Sequence, residues 1–257
     1  MFFRLAHASL SWIEELGSLV RFSQKAFSSI FAPPYRRTIT LRQMDAIGVG
    51  SLPIVTLTGI FTGMVLALQS IVELRVFGAT SYVGRPIGTT IIRELGPVLS
   101  AIMVAARSGS AIAAELGSMV VGEQIDALYA EGADPIKKLV EPRLLACILA
   151  TPLLTLYCDA VGFVGGWLIA TQTALITSNF YWNSVFEVIS PAYLWGGLIK
   201  SICFGSIIGV VGCYSGINTR RDATGVGTAT TQAVVISAIS VLAVDFLLTK
   251  LFIITWW

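Results

Sequence analysis

Along the chain, apolar and polar positions first alternate with a helical period and then give way to five long apolar runs. In the first thirty residues polar side chains recur at Arg4, His7, Ser11, Glu14, Ser18, Arg21, Lys25 and Ser28, in alternating steps of three and four. Phe2, Leu5, Trp12, Ile13, Leu16, Leu19, Phe27 and Ile30 fall between them. The spacing predicts one amphipathic helix within residues 1–35, ended by Pro33 and Pro34, with a broad apolar face. Such a face fits a helix lying in the membrane interface; packing against the chain's own bundle is the alternative. Glu14, Glu15 and Arg21 interrupt the apolar face and no uninterrupted apolar core with a cleavage site follows, so the segment does not read as a signal peptide.

The apolar runs cover approximately 46–74, 86–106, 144–174, 191–216 and 230–254. Each reaches the roughly 20 residues that a membrane-spanning helix needs. The expected fold is therefore all-α and integral to the membrane, with residues 36–257 forming one five-span domain. Pro53, Pro97 and Pro152 predict kinks in the first three spans, and the third run is long enough to tilt or project beyond the bilayer. Gly59 and Gly63, Gly205 and Gly209, and Gly212 and Gly216 are each four apart, which places both members on one helix face for close packing.

Composition agrees with the bilayer as solvent: 55% of the 257 residues are hydrophobic and 12% charged, too little charge to coat a soluble domain. The placement of cations matters more than the net +2. Arg4, Arg21, Lys25, Arg36, Arg37 and Arg42 precede the first span, Lys137, Lys138 and Arg143 lie between spans two and three, and Arg220 and Arg221 between four and five. The other side carries only Arg75, Arg85 and Lys250. Positive-inside counting puts the N-terminus in the cytoplasm and the C-terminus outside. Trp182, Trp195, Trp256 and Trp257 sit near the predicted interfaces.

Two features carry candidate function. Residues 108–142 form a cytoplasmic stretch too long for a simple turn, with Glu115, Glu123, Asp126, Glu131, Asp134 and Glu141 beside Lys137, Lys138 and Arg143. Ile112, Leu116, Met119 and Val120 continue a helical apolar stripe, residues 123–128 read as another helical piece closed by Gly132, and Asp134 caps a short helix with Pro135 at its first position. A charged helical element there suits docking of a soluble partner; a solvated hairpin is the alternative. The second feature is charge within the spans: Arg93, Glu94, Asp159, Lys200 and Asp245. Each costs at least about 2.5–3.5 kcal/mol at the membrane centre unless paired or hydrated. Mutual pairing, Lys200 with Asp245 and Arg93 with Glu94 or another carboxylate, is compatible with a hydrated cavity that takes a polar headgroup.

Several chemistries are disfavoured. No GxxxxGK[ST] loop exists for ATP hydrolysis, so this chain is not expected to be an enzyme. His7 lies outside every span, which argues against a Ser–His hydrolase. The sequence around Asp245 lacks the glycines of intramembrane aspartyl proteases. Cys147, Cys158, Cys203 and Cys213 fall in apolar runs without a CxxC pair and read as packing residues; neither a metal site nor a cofactor is expected.

The stretch Arg93-Glu-Leu-Gly-Pro-Val-Leu99, then Ala113-Ala-Glu-Leu-Gly117 and Glu123-Gln-Ile-Asp-Ala-Leu128, resembles the MlaE family, the permeases of MCE-associated ABC transporters. Gly225-Val-Gly-Thr-Ala-Thr-Thr231 and Val244-Asp-Phe-Leu-Leu248 are similar to the family's ending, and the resemblance runs from about Arg36 onward. It implies a homodimeric membrane core in a Gram-negative inner membrane, a pair of ABC ATPase subunits that use ATP and Mg, a hexameric MCE-domain ring and a STAS-domain protein bound to the ATPases. The implied cargo is glycerophospholipid, moved between the inner membrane and periplasmic carriers to maintain outer-membrane lipid asymmetry. Glu123, Gln124, Ile125, Asp126, Ala127 and Leu128 would form the coupling helix for the ATPase. Arg93, Glu94, Lys200 and Asp245 would line or tune a lipid cavity, with Leu66 and Gln69 near the acyl chains. A stand-alone proton-coupled secondary transporter and a membrane scaffold without a substrate path are the competing readings; the first predicts an inverted repeat that the chain does not show.

Overall fold

The computed structural model describes residues 2–30 and 37–255, with most side chains before Gly17 left outside that set. The expectations placed on Pro33, Pro34, Arg36, Trp256 and Trp257, and on the side chains of Arg4 and His7, therefore fall outside the described residues. Among those described, all regular structure is helical. Five stretches are long and apolar enough to cross a membrane: Arg37–Val76, Thr80–Val121, Ile136–Thr173, Pro191–Ile217 and Ala223–Thr255.

Helix α1 (Phe2–Ile30) precedes α2 (Arg37–Val76), which is the first span. The second span is segmented into α3 (Gly84–Thr90), α4 (Gly96–Val104) and α5 (Ser110–Val121), joined by π-helical turns over Ile91–Leu95 and Ala105–Gly109. The short α6 (Gln124–Ala130) follows, then α7 (Glu141–Thr173), α8 (Ser178–Val188), α9 (Pro191–Ile217) and α10 (Ala223–Thr255).

Small residues set the closest approaches. A Cβ on Gly59 would stand 3.0 Å from the Cys158 carbonyl, and one on Gly63 would collide with the Gly162 carbonyl, so α2 and α7 meet backbone to backbone. Gly205 faces the Cys147 carbonyl and Gly209 faces Leu144, bringing α9 equally close to α7. Gly216 opposes Leu116 and Ala113, which seats α5 on α9. The glycine pairs thus pack helices within one chain.

Two apolar cores result. One gathers Ile47, Leu116, Leu144, Phe204 and Ile208 toward the α6 end of the bundle; the other gathers Ala67, Ile71, Ile87, Tyr181 and Val185 toward the α8 end. Tyr181 anchors α8, its hydroxyl donating to the Phe163 carbonyl at 3.0 Å. Helix α10 buries a narrow stripe, Gly225, Ala229, Ala233, Ser237 and Val241, with Phe252 near its end, and leaves Ile239, Leu242, Phe246 and Leu247 exposed. Apolar exposure of that extent belongs against lipid or another protein.

Three differences from the sequence expectation have physical causes. The second span runs on as helix to Val121, so residues 108–121 are not loop; Ile112 and Leu116 are buried and hold α5 in the bundle. Arg143 and Glu141, counted with the loop charges, are buried at the start of α7, where Arg143 pairs with Glu115 at 2.9 Å and donates to the Leu139 carbonyl. Asp134 accepts from the Ile136 amide at 2.9 Å, but the turn it caps leads through Ile136–Val140 directly into α7 instead of forming a separate short helix. The described second half of α1 packs on the chain's own bundle: Ala26 and Ser29 are buried, Phe22 lies edge-on to Tyr214, and the Ser18 hydroxyl bonds that of Tyr214.

Candidate functional site

The π turn in the second span leads directly to Pro97, which has no N–H to give to the carbonyl of Arg93 one turn earlier. That orphaned acceptor is met from another helix. Lys200 of α9, whose side chain is wholly buried, donates from Nζ to the Arg93 carbonyl at 3.0 Å. The same ammonium contacts Glu94 Oε2 at 2.6 Å, Asp245 Oδ1 at 2.9 Å and Thr249 Oγ1 at 2.7 Å. Thr249 in turn donates to Glu94 Oε2 at 3.1 Å. One buried cation thus ties together the break in span two, α9 and α10.

Exposure within the cluster is graded. The Lys200 side chain is 0% exposed, Asp245 17% and Glu94 31%, so the carboxylates open toward the surface from which the ammonium is sealed. Arg93 turns its guanidinium over the Tyr193 ring, 5.1 Å from the centroid. Two cations and two anions meet in this region, which lowers the cost of holding charge at membrane depth.

The sequence-predicted pairing of Lys200 with Asp245 is present, whereas Glu94 pairs with Lys200. Leu66 packs against the second core and Gln69 is exposed on α2. Asp159 stands elsewhere, buried against the backbone of Gly96. Thr249 was not singled out in the sequence; its position four residues after Asp245, on the same face of α10, is the signal that finds it.

At the α6 end, charges are arranged differently. Glu123 adopts a left-handed backbone (φ 56°) and forms the corner before α6, so it stands outside the helix expected over 123–128. Gly132, with φ 74°, turns the chain after it. Ile125 is buried and anchors α6, while Gln124, Asp126, Ala127 and Tyr129 face outward, Tyr129 being 62% exposed. Asp126 pairs with Arg221 of the α9–α10 connection at 2.9 Å. Tyr129 and Arg221 extend the outward surface beyond the six residues expected of the coupling element.

Comparison with known proteins places this architecture. A model of the family described as permease MlaE matches residues 40–251. A Rickettsia conorii protein named "probable ABC transporter permease protein" is 42% identical over 256 residues, covering 98% of this chain and 99% of its own. The chloroplastic protein TRIGALACTOSYLDIACYLGLYCEROL 1 of Arabidopsis thaliana is 40% identical over 213 residues, 83% of this chain and 61% of its own. The intermembrane phospholipid transport system permease protein MlaE of Haemophilus influenzae is 32% identical over 243 residues, 93% of each chain. With the match extending from the start of α2 almost to the end of α10, and with five spans arranged as described, this chain belongs to the MlaE permease family.

Proposed function

We propose that two copies of this chain form the membrane core of an ABC transporter that moves glycerophospholipids between the inner membrane and periplasmic carriers, maintaining outer-membrane lipid asymmetry. The observation that carries this reading is the buried Lys200 tied to Glu94, Asp245 and Thr249 across three spans, in a chain whose Haemophilus relative is named as a phospholipid transport permease. A cluster with a sealed cation and part-exposed carboxylates suits a path that must pass a polar headgroup while apolar walls hold acyl chains.

In this account Gln124, Ala127 and Tyr129 of α6, with the corner residue Glu123, dock an ATPase pair that binds ATP and Mg, and a STAS-domain protein attaches to the ATPases. A hexameric MCE-domain protein meets the α8 end, which places that end in the periplasm and the N-terminus in the cytoplasm. Closure of the ATPases pushes on α6, and the push reaches the lipid path through α5 and the segmented second span that carries Glu94. Leu66 and Gln69 of α2 lie toward the acyl chains.

Native mass spectrometry of the complex, extracted gently from its own membranes, tests the assembly. The expected mass contains two copies of this chain, an ATPase pair and bound phospholipid. A lone chain, or a homodimer with neither ATPase nor lipid in several mild detergents, would instead favour a stand-alone proton-coupled transporter using Glu94 or Asp245.

A further inference from the structure

The α9–α10 crevice has a second polar feature, at the end opposite the Lys200 cluster. A cavity of about 400 Å³ opens between the last turn of α9 and the first turns of α10, with Tyr214, Asn218, Arg220, Thr228 and Gln232 among its lining. That volume lies within the roughly 300–1,000 Å³ typical of ligand sites. Arg220 is the one charged residue in its lining, while the Asp222 carboxylate at its edge is engaged by the Gly225 amide at 2.5 Å. Among the described residues Arg220 enters no ion pair, whereas the adjacent Arg221 is held by Asp126 of α6.

A separate groove lies further along the same helix pair. Ser240 and Val244 prolong the face of α10 that carries Gln232 and Ile236, and Ile207, Val210 and Val211 prolong the face of α9 that carries Tyr214 and Asn218. Together with Leu19 and Phe27 of α1 they border an apolar groove of about 220 Å³. A polar chamber with one arginine, followed along the same helix pair by an apolar groove, has the chemical profile of an amphiphile with an anionic head and a hydrocarbon tail.

The geometry points to a binding site for the phosphate headgroup of a glycerophospholipid drawn from the membrane leaflet at the α6 end, with Arg220 and the Gln232 amide as donors and an acyl chain in the neighbouring groove. This deepens the phospholipid-permease reading and rests on it. The site lies about 20–25 Å along α10 from the Asp245–Thr249 cluster, at 1.5 Å per residue from Gln232. The two polar stations therefore stand near opposite faces of the membrane on one helix pair. The Arg221–Asp126 pair attaches the Arg220 loop to α6, so displacement of α6 acts on the headgroup site directly.

The test is photo-crosslinking in the assembled, detergent-purified transporter, with benzoylphenylalanine replacing the lining residue Ile236 and the adduct identified by mass spectrometry. A phospholipid adduct is expected, reduced about fivefold or more by Arg220→Gln, as loss of a charge-assisted contact implies, and little changed by Arg221→Gln at the neighbouring exposed position. An adduct indifferent to Arg220→Gln would be surrounding bilayer lipid and would overturn the site. An adduct to a second copy of the chain or to an ATPase peptide, or no phospholipid adduct, would overturn it as well. ATP-driven phospholipid transfer by the unsubstituted complex, measured in parallel, separates the two proposals. Transfer without the Arg220-dependent adduct removes this site alone, whereas no transfer removes the permease reading beneath it.

Discussion

The two ends of the bundle handle charge in opposite ways. Toward the α8 end, Lys200 is sealed among Glu94, Asp245, Thr249 and a backbone carbonyl, and three helices share one cation. At the α6 end, Asp126 and Arg221 pair one to one with 51% and 64% of their side chains exposed. Removing one member of a buried network strands its partners in low dielectric, whereas an exposed pair exchanges its partner for water. The first arrangement locks helices together and the second leaves a surface that a partner can engage and shift.

Substitutions sharpen that contrast. Lys200→Met should have the largest effect, destabilising the protein by about 3–5 kcal/mol because Glu94 and Asp245 then face each other without a cation. Thermal unfolding in detergent reads this, and adding Glu94→Gln and Asp245→Asn should restore much of the loss. An unchanged melting profile for Lys200→Met would show that the cluster does not hold the helices.

Next in size is Gly63→Val, which forces a side chain into the Gly162 backbone and should cost about 1–3 kcal/mol or more. Gly227→Ala in the first turns of α10, where a Cβ meets nothing within 4 Å, should instead be neutral or stabilising by about 0.5–1 kcal/mol. Comparing the two melting temperatures separates close packing from helix propensity.

Glu123→Lys with Asp126→Lys should change stability by less than about 1 kcal/mol yet sharply reduce ATPase recovery on affinity purification. Full co-purification would exclude α6 as the docking element. The smallest effect is expected at the exposed Arg85–Glu187 pair near α8, where Arg85→Gln should leave the melting temperature almost unchanged, with any shift fading further at high salt. A larger shift would mean that this end is more tightly enclosed than its exposure indicates.

The five spans were legible because a run of apolar residues needs no tertiary information to be read. The partners of the intramembrane charges were legible only in part. Opposite charges in separate spans, Lys200 and Asp245, do meet, but neighbours such as Arg93 and Glu94 project about 100° apart on a helix and rarely meet. The route from Pro97 to the Lys200 contact depends on a π turn, a change of hydrogen-bond register that leaves no periodic trace over five residues. Helix α8 is not legible in the sequence because it is short and only half apolar, and what fixes it is tertiary: Tyr181 bonds the Phe163 carbonyl and Ser178 accepts from Trp167 of α7. Glu123 reads as a helix former, yet it takes the left-handed corner that aims α6.

The most direct test of the central claim, that the Lys200 cluster belongs to the lipid path, is ATP-dependent phospholipid transfer by the reconstituted complex carrying Glu94→Gln. The account predicts that the complex assembles and hydrolyses ATP while transfer falls at least about tenfold, the scale of one lost charge-assisted contact. Transfer at the unsubstituted rate would contradict it and leave the cluster with a purely structural role.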